Sequence, residues 1–452
     1  MILKDKWVIL FILLLATILS PLDFYIVNLA LPSMQQSLKT TNSELQMIVS
    51  FYTCAYAVFQ ISGGRLGDIY GRRKIFLLGL LGFISFSVLC GVAQSAMLLI
   101  IGRIGQGVSG AIMIPQVLAI VHGLFNDKEK RWVMALYSFT FGIAAALGQF
   151  LGALLIEWNL FDLGWRIIFL VNVPVGLLAF GLGFVALPKQ EVNQVASIDY
   201  QGTLLLSLGL MSFIYPLTTL IERGFTLETG GYLLSACLLI YLFVRLEQKR
   251  KQQAKSVLID FDIFQFSKLK IGVIISFLYY ASGVFYLVFG IFLQQEWHWT
   301  RMEAGQAIIP FGVGFIVMSL CSSILSNYIR EAILSVGLWV YVAGFILLWA
   351  TLYHYHPLLF AFDLFVIGCG MGLTLSSVVR LSLSQIPIQF AGLASGIVNC
   401  GLQIGSAFGV AALGSVFFAL VKIQSYTFAF GIVLGLICFF LLLAIYLAQK
   451  MK

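Results

Sequence analysis

The stretch that decides the fold lies between Lys74 and Arg103. It reads IFLLGLLGFISFSVLCGVAQSAMLLIIG, residues 75–102, and its 28 residues carry no charge. Two more gaps of this kind occur, 25 residues between Lys270 and Glu296 and 27 between Lys422 and Lys450. A spanning helix needs about 20 apolar residues, so each gap is long enough to cross a bilayer. In hydrocarbon, only a helix or a closed barrel satisfies its own backbone hydrogen bonds. Barrel strands alternate polar and apolar residues over about 10 positions, whereas these runs are continuously apolar, which selects helices. The whole composition agrees: of 452 residues, 60% are hydrophobic and 10% charged, with a mean hydropathy of +0.99. Soluble domains carry roughly 25% charged residues, so a water-soluble fold is excluded.

Extended along the chain, this reading predicts an all-α membrane protein. Its fourteen spans lie near residues 7–31, 45–65, 75–93, 97–122, 132–157, 164–187, 198–222, 230–247, 267–295, 303–326, 332–356, 358–385, 391–421 and 426–448. The longest polar connection, Leu246 to Phe266, is too short for a soluble domain. Short cytoplasmic loops collect Lys and Arg. With the N-terminus inside, one face holds 20 of the 27 basic residues. The other face holds Lys39, Arg166, Arg223, Arg301 and Lys422, while Arg103 and Arg380 fall within spans. This asymmetry supports an even number of spans with both termini cytoplasmic.

The net charge of +8 is thereby explained as topology and implies no nucleic-acid partner. The basic loop RLEQKRKQQAK, Arg245 to Lys255, is a solvated connector that can also touch anionic headgroups of the membrane lipid. Lys4 and Lys6 precede an apolar run too long for a signal peptide, and no small-residue cleavage site follows, so an uncleaved first helix is expected. The seven cysteines fall within spans without close spacing, which argues against disulfides and zinc sites. His354 and His356 read as interfacial loop residues, and no metal or cofactor is expected.

An ionisable residue inside a membrane helix is costly and usually faces a partner or a cavity. Asp23 lies about 12 Å from the outer end of the first span, and Arg103 about 9 Å into the fourth, at 1.5 Å per residue. Opposite charges at nearly the same depth suggest a pair at a polar cavity. Protonating Asp23 then releases Arg103 to another partner, which is a proton switch; a static pair that only joins two helices is the alternative. Asp363, in the outer third of the twelfth span, is a further charged candidate, and Arg380 is expected to snorkel to the headgroups. Polar Asn28, Gln106, Gln116, Asn399 and Gln403 and aromatic Tyr25, Tyr52, Tyr279, Phe285 and Tyr286 are candidates for lining a substrate cavity. Small residues recur at helix-packing spacing in GRIGQGVSGA (Gly102 to Ala111), GIAAALGQFLGA (Gly142 to Ala153) and GLASGIVNCGLQIGSAFG (Gly392 to Gly409).

The loop GRLGDIYGRRK, Gly64 to Lys74, resembles the conserved loop of the major facilitator superfamily through Gly64, Leu66, Asp68, Gly71, Arg72 and Arg73. Ile69 stands where a basic residue is expected. LDFYIVNLALP (Leu22 to Pro32), RIGQGVSGA (Arg103 to Ala111), WRIIFLVNVPVG (Trp165 to Gly176) and LQQEWHWTRMEAGQAIIP (Leu293 to Pro310) are similar to segments of its fourteen-span drug:proton antiporter family. SSILSNYIRE, Ser322 to Glu331, sits where a second copy of the loop is expected. The resemblance implies a major facilitator fold with two six-helix halves, residues 1–190 and 251–452, and a central inserted pair in 191–250. It makes Asp23 and Arg103 the proton-coupling residues and Gly64, Asp68, Gly71, Arg72 and Arg73 a conformational loop. One departure is in the fifth helix, where Gly148-Gln149-Phe150-Leu151-Gly152-Ala153 lacks the proline and last glycine of the family's antiporter motif, so a straighter helix is expected.

The function so implied is secondary active transport in a bacterial inner membrane, exporting amphipathic organic compounds by alternating access. Protons, or another cation, would drive it, and a single chain would suffice. The alternative is a narrow-range exporter of an endogenous metabolite such as a siderophore or peptide. A membrane-embedded enzyme or a non-transporting sensor is disfavoured, because no nucleophile and base pair, metal spacing or phosphate-binding loop occurs.

Overall fold

The structure is a computed structural model describing residues 5–188, 199–253, 255–330, 332–387 and 391–451. Lys4, Lys189, Glu331, Lys452 and the expected domain boundary at 190/191 lie outside the described residues, as do the side chains of Lys128, Lys130, Arg131, Arg223 and Asn327. Among the described residues every regular element is helical.

Among the described residues, and apart from short 3-10 turns at Leu160–Asp162 and Phe261–Gln265, the helices form fourteen stretches, in register with the fourteen expected spans. They are α1 (Lys6–Leu38), α2 (Asn42–Tyr70), α3 (Arg72–Gly91), α4 (Ala96–Leu124), α5 (Asp127–Trp158), α6 (Gly164–Ala186) and α7 (Tyr200–Arg223). Then follow α8 (Leu227–Gln252), α9 (Ser267–Gln295), α10 (301–329), α11 (Ala332–Thr351), α12 (Pro357–Leu383), α13 (391–421) and α14 (Tyr426–Gln449). Among the described residues thirteen are long and apolar enough to cross a membrane; α5, an uninterrupted helix of 32 residues, includes the apolar segment Leu147–Trp158.

Polar residues stop and start the helices where the chain turns. Thr41 and Glu44 form a reciprocal capping box at α2, Thr300 and Glu303 form another at α10, and Ser95 and Ser425 cap α4 and α14. These side chains satisfy backbone N–H groups that no preceding turn can satisfy. Between α2 and α3 the turn is a single residue, Gly71, at φ 91°, a conformation that costs a residue with a Cβ.

Contacts divide the chain into two compact units. The first holds residues 1–23, 38–140 and 166–261, and the second holds 24–37, 141–165 and 262–452. The pair α7 and α8 therefore belongs to the same unit as α2, α3 and α4, joined to α2 by a 2.7 Å hydrogen bond between the Ser62 and Thr203 hydroxyls.

Glycines are the means of close packing within each unit. In the first, a Cβ on Gly63 would meet the Ala111 carbonyl, and one on Gly107 would meet the Tyr52 carbonyl, so α2 and α4 touch backbone to backbone. In the second, Gly401, Gly405 and Gly409 on α13 face the carbonyls of Val273, Phe277 and Ala281 on α9. Lipid tails are as apolar as leucine, so such van der Waals seams, rather than hydrophobic burial, hold membrane helices together. Both of those helices are irregular at the contact: α9 has a 3-10 turn at Ala281–Gly283 and α13 a π turn at Gly409–Leu413.

Candidate functional site

Asp23 and Arg103 meet as an ion pair, with side chains 0% and 1% exposed. Their meeting follows from local sequence. Gly107, one turn beyond Arg103, lets α4 lie against Tyr52 of α2, and the Arg103 guanidinium then sits 4.0 Å from the Tyr52 ring centroid. Gln106 shares the Arg103 face of α4, because residues three apart are neighbours on a helix.

A burial this complete requires each charge to be hydrogen-bonded. The Asp23 Oδ1 accepts from Asn172 Nδ2 at 3.0 Å and from Gln106 Nε2 at 3.2 Å, while Oδ2 takes Arg103 Nη1. Arg103 also donates to the Gln106 Oε1 at 2.8 Å and to the Ile48 carbonyl at 3.2 Å. Ser87 accepts from Gln106 at 2.8 Å, and the Tyr52 hydroxyl is 2.8 Å from the Ser20 hydroxyl. Besides Asp23, the Arg103 guanidinium thus holds the Gln106 Oε1, the Ile48 carbonyl and the face of the Tyr52 ring.

The other sequence candidates divide into groups. Tyr52 and Gln106 join the ion-pair cluster. Gln116 donates to the Gly63 carbonyl at 2.6 Å and to Ile112 at 3.0 Å, which ties α4 to α2. Asn28 donates to the Phe24 carbonyl of its own helix at 2.7 Å. Tyr25 and Tyr286 pack edge to face at 4.9 Å, with Phe311 5.5 Å and Phe285 5.8 Å from Tyr286. Tyr279 donates to the Met371 carbonyl at 2.9 Å. Asn399 and Gln403 are half-buried on α13. Asp363 is buried and accepts from Thr351 Oγ1 at 2.5 Å. The expected loop is mostly helix, with Asp68 in the last turn of α2, Arg72 and Arg73 in the first turn of α3 and only Gly71 between; Asp68 pairs with Arg72 at 3.2 Å, Arg72 also donates to the Ala119 carbonyl at 2.8 Å, and Arg73 donates to the Phe184 carbonyl. Gly64, in the last turns of α2, leaves ordinary clearance to Pro115 at 3.9 Å.

Asn172 and Ser87 complete the Asp23 cluster and were not singled out from sequence. Asn172 stands alone as an amide in IIFLVNVPVG, a signal that was available, whereas Ser87 resembles any other small residue in a span. Half-buried Tyr280, which interacts with Tyr25, was also missed. The second unit also has a cleft of about 360 Å³ at the ends of α1, α5 and α9, lined by residues that include Gln36, Glu157, Gln294 and Arg301.

Comparison with known proteins shows the family. The sequence model of the Major Facilitator Superfamily matches residues 13–247 and 271–451. The chain is 31% identical over 427 residues to the "Probable actinorhodin transporter" of Streptomyces coelicolor, spanning 93% of this chain and 74% of that protein. It is also 31% identical over 422 residues to the "Puromycin resistance protein pur8" of Streptomyces alboniger, covering 91% and 82%. Its fold is similar to the partially occluded inward-open xylose transporter XylE of E. coli, with a TM-score of 0.64 at 14% identity, over 98% of this chain and 96% of that one. A helical membrane bundle with a buried Asp–Arg pair, matched along nearly its whole length, belongs to the Major Facilitator Superfamily and is an integral membrane transporter of that family.

Proposed function

We propose that the chain exports amphipathic organic compounds by alternating access, driven by protons that bind at Asp23 and displace Arg103. The observation that carries this reading is the sealed ion pair with its alternative partners for Arg103 already in place. In this reading both termini are cytoplasmic, the membrane is a bacterial inner membrane, and one chain is sufficient. The two six-helix halves are residues 1–190 and 251–452, with residues 191–250 as an inserted pair, and substrate binds near the midplane. The aromatic group of Tyr25, Tyr280, Tyr286 and Phe311 suits an apolar molecule with few polar groups. Export is supported by relatives named for a transported or resisted antibiotic.

The test is efflux from proteoliposomes loaded with cationic, neutral and anionic amphiphilic dyes under an imposed pH gradient. Uphill efflux that a protonophore abolishes is expected for at least one class. Efflux indifferent to the protonophore contradicts proton coupling.

A second reading, export of one metabolite, is favoured by Gln149. It is 0% exposed, and neither its Nε2 nor its Oε1 has a hydrogen-bond partner among the described residues. A buried amide of this kind rejects ligands that cannot pair with it and so narrows the range of substrates.

A further inference from the structure

A second cluster of buried charge lies on the face that carries most of the basic residues, within the first unit and apart from Asp23. Asp199 and Glu247 are each 1% exposed. Asp199 caps α7, its Oδ1 accepting from Gly202 N at 2.8 Å and from Arg250 Nη1 at 3.3 Å. Glu247, near the end of α8, accepts from Ile259 N at 2.9 Å and so fastens the segment after α8. One oxygen of each carboxyl remains. Asp199 Oδ2 and Glu247 Oε1 are buried and have no donor among the described residues. Both converge on Gly202: a Cβ there would stand 2.5 Å from the first and 2.6 Å from the second.

Two facing carboxylate oxygens without a donor repel each other, and in a buried site they cannot both stay ionised without a counter-charge between them. Arg250 offsets one of the two charges from the far side, its Nη1 on Asp199 Oδ1 and its Nε on the Ser256 carbonyl at 3.0 Å, and leaves the facing oxygens Oδ2 and Oε1 without a donor between them. Arg65, on α2, interacts with the charges of both carboxyls, yet its buried Nη1 has no hydrogen-bond partner among the described residues. Two arginines beside the pair also oppose a metal ion. We propose that Asp199 and Glu247 share one proton, and that when it leaves to water the Arg65 guanidinium takes its place.

The helices that carry these residues bring other titratable or charged groups, which have partners of their own. From α2 comes Tyr70, whose hydroxyl is 3.4 Å from that of Tyr200 on α7. From α8 comes Lys251, paired at 2.6 Å with Asp260 of the following segment. Arg65 sits at the start of the GRLGDIYGRRK loop and on the same helix as Ile48, whose carbonyl holds Arg103. About 17 residues, or ~25 Å of continuous helix, separate the two. The inserted helices thereby read the proton concentration on their own face and act on the helix that also contacts the Asp23 cluster.

The test is infrared difference spectroscopy of the full chain in lipid vesicles, titrated from about pH 5 to about pH 9, a range in which a carboxyl pair sharing a proton gives it up. Wild type is expected to lose one protonated-carboxyl band as pH rises. Glu247→Gln and Asp199→Asn should each remove that band and leave the rest of the carboxyl region unchanged. Arg65→Gln should keep it but move its loss upward by about one pH unit or more, because the ionised pair then lacks its incoming cation. Gly202→Ala, which pushes the two oxygens apart without removing either, should move the loss downward. Its result stands if the amide variants do not fold. Absence of the band in wild type, or its persistence in Glu247→Gln, overturns the shared proton. An unchanged midpoint in Arg65→Gln overturns the exchange with the loop. No transport is measured, so the outcome is independent of the export reading.

Discussion

Asp23 and Arg103 lie 80 positions apart in sequence and form an ion pair whose side chains are almost wholly sealed from solvent. Desolvating two charges is repaid only where further hydrogen bonds satisfy them. Here Asn172, Gln106 and the Ile48 carbonyl supply those bonds. The asymmetry of the pair matters: Arg103 has other acceptors, whereas Asp23 loses its positive partner if Arg103 is removed.

Arg103→Ala therefore strands a buried carboxylate and is expected to destabilise the protein by about 3–5 kcal/mol. Thermal unfolding in detergent measures this. A midpoint equal to wild type would mean that the carboxylate finds other compensation.

Gly409→Leu places a side chain against the Ala281 carbonyl, where the irregular turns of α9 and α13 meet. A loss of about 1–3 kcal/mol is expected from overpacking. Gly181→Ala is the control, because a Cβ there meets nothing within 4 Å, and its unfolding midpoint should hold or rise slightly.

Asp68→Asn removes a half-exposed pair with Arg72 and should change stability by less than about 1 kcal/mol. If the loop controls the conformational cycle, transport in proteoliposomes should nevertheless fall severalfold. Normal transport would reduce the loop to a tight turn. Gly71→Ala, by contrast, should cost about 1–2 kcal/mol through its left-handed φ alone.

Gln149→Leu removes a buried amide that has no partner among the described residues. The expected result is equal or greater stability with a broader range of exported dyes. An unchanged range would remove the observation that favours a single-metabolite exporter.

Uncharged runs and loop charge made the bundle readable, because every span lies over a helical stretch. The ends were less so. α1 continues to Leu38, past the expected 31, because Gln35, Gln36 and Ser37 keep helical hydrogen bonds after hydropathy has fallen. α11 stops at Thr351, before the expected 356, and His354 and His356 lie in the turn that follows. Asp23 and Arg103 were legible because charges are rare at that depth. Ser87 was not, since only its three-dimensional neighbours distinguish it from a packing residue. Gln116 looked like a cavity residue but bridges two helices, and that depends on the close approach at Gly63. Asp199 and Glu247 stand at the ends of expected spans, and their burial comes from three-dimensional packing that the sequence does not display.

The central claim is that proton entry at Asp23 drives export. Its most direct test is proton flux in everted membrane vesicles holding an acidic interior, with cationic, neutral and anionic compounds added in turn to wild type and to Asp23→Asn. Asn keeps the shape of Asp23 and cannot titrate. The account predicts that at least one compound triggers proton release in wild type and none does in the variant, with folded variant present in the membrane. Compound-triggered release of equal size in Asp23→Asn would contradict it.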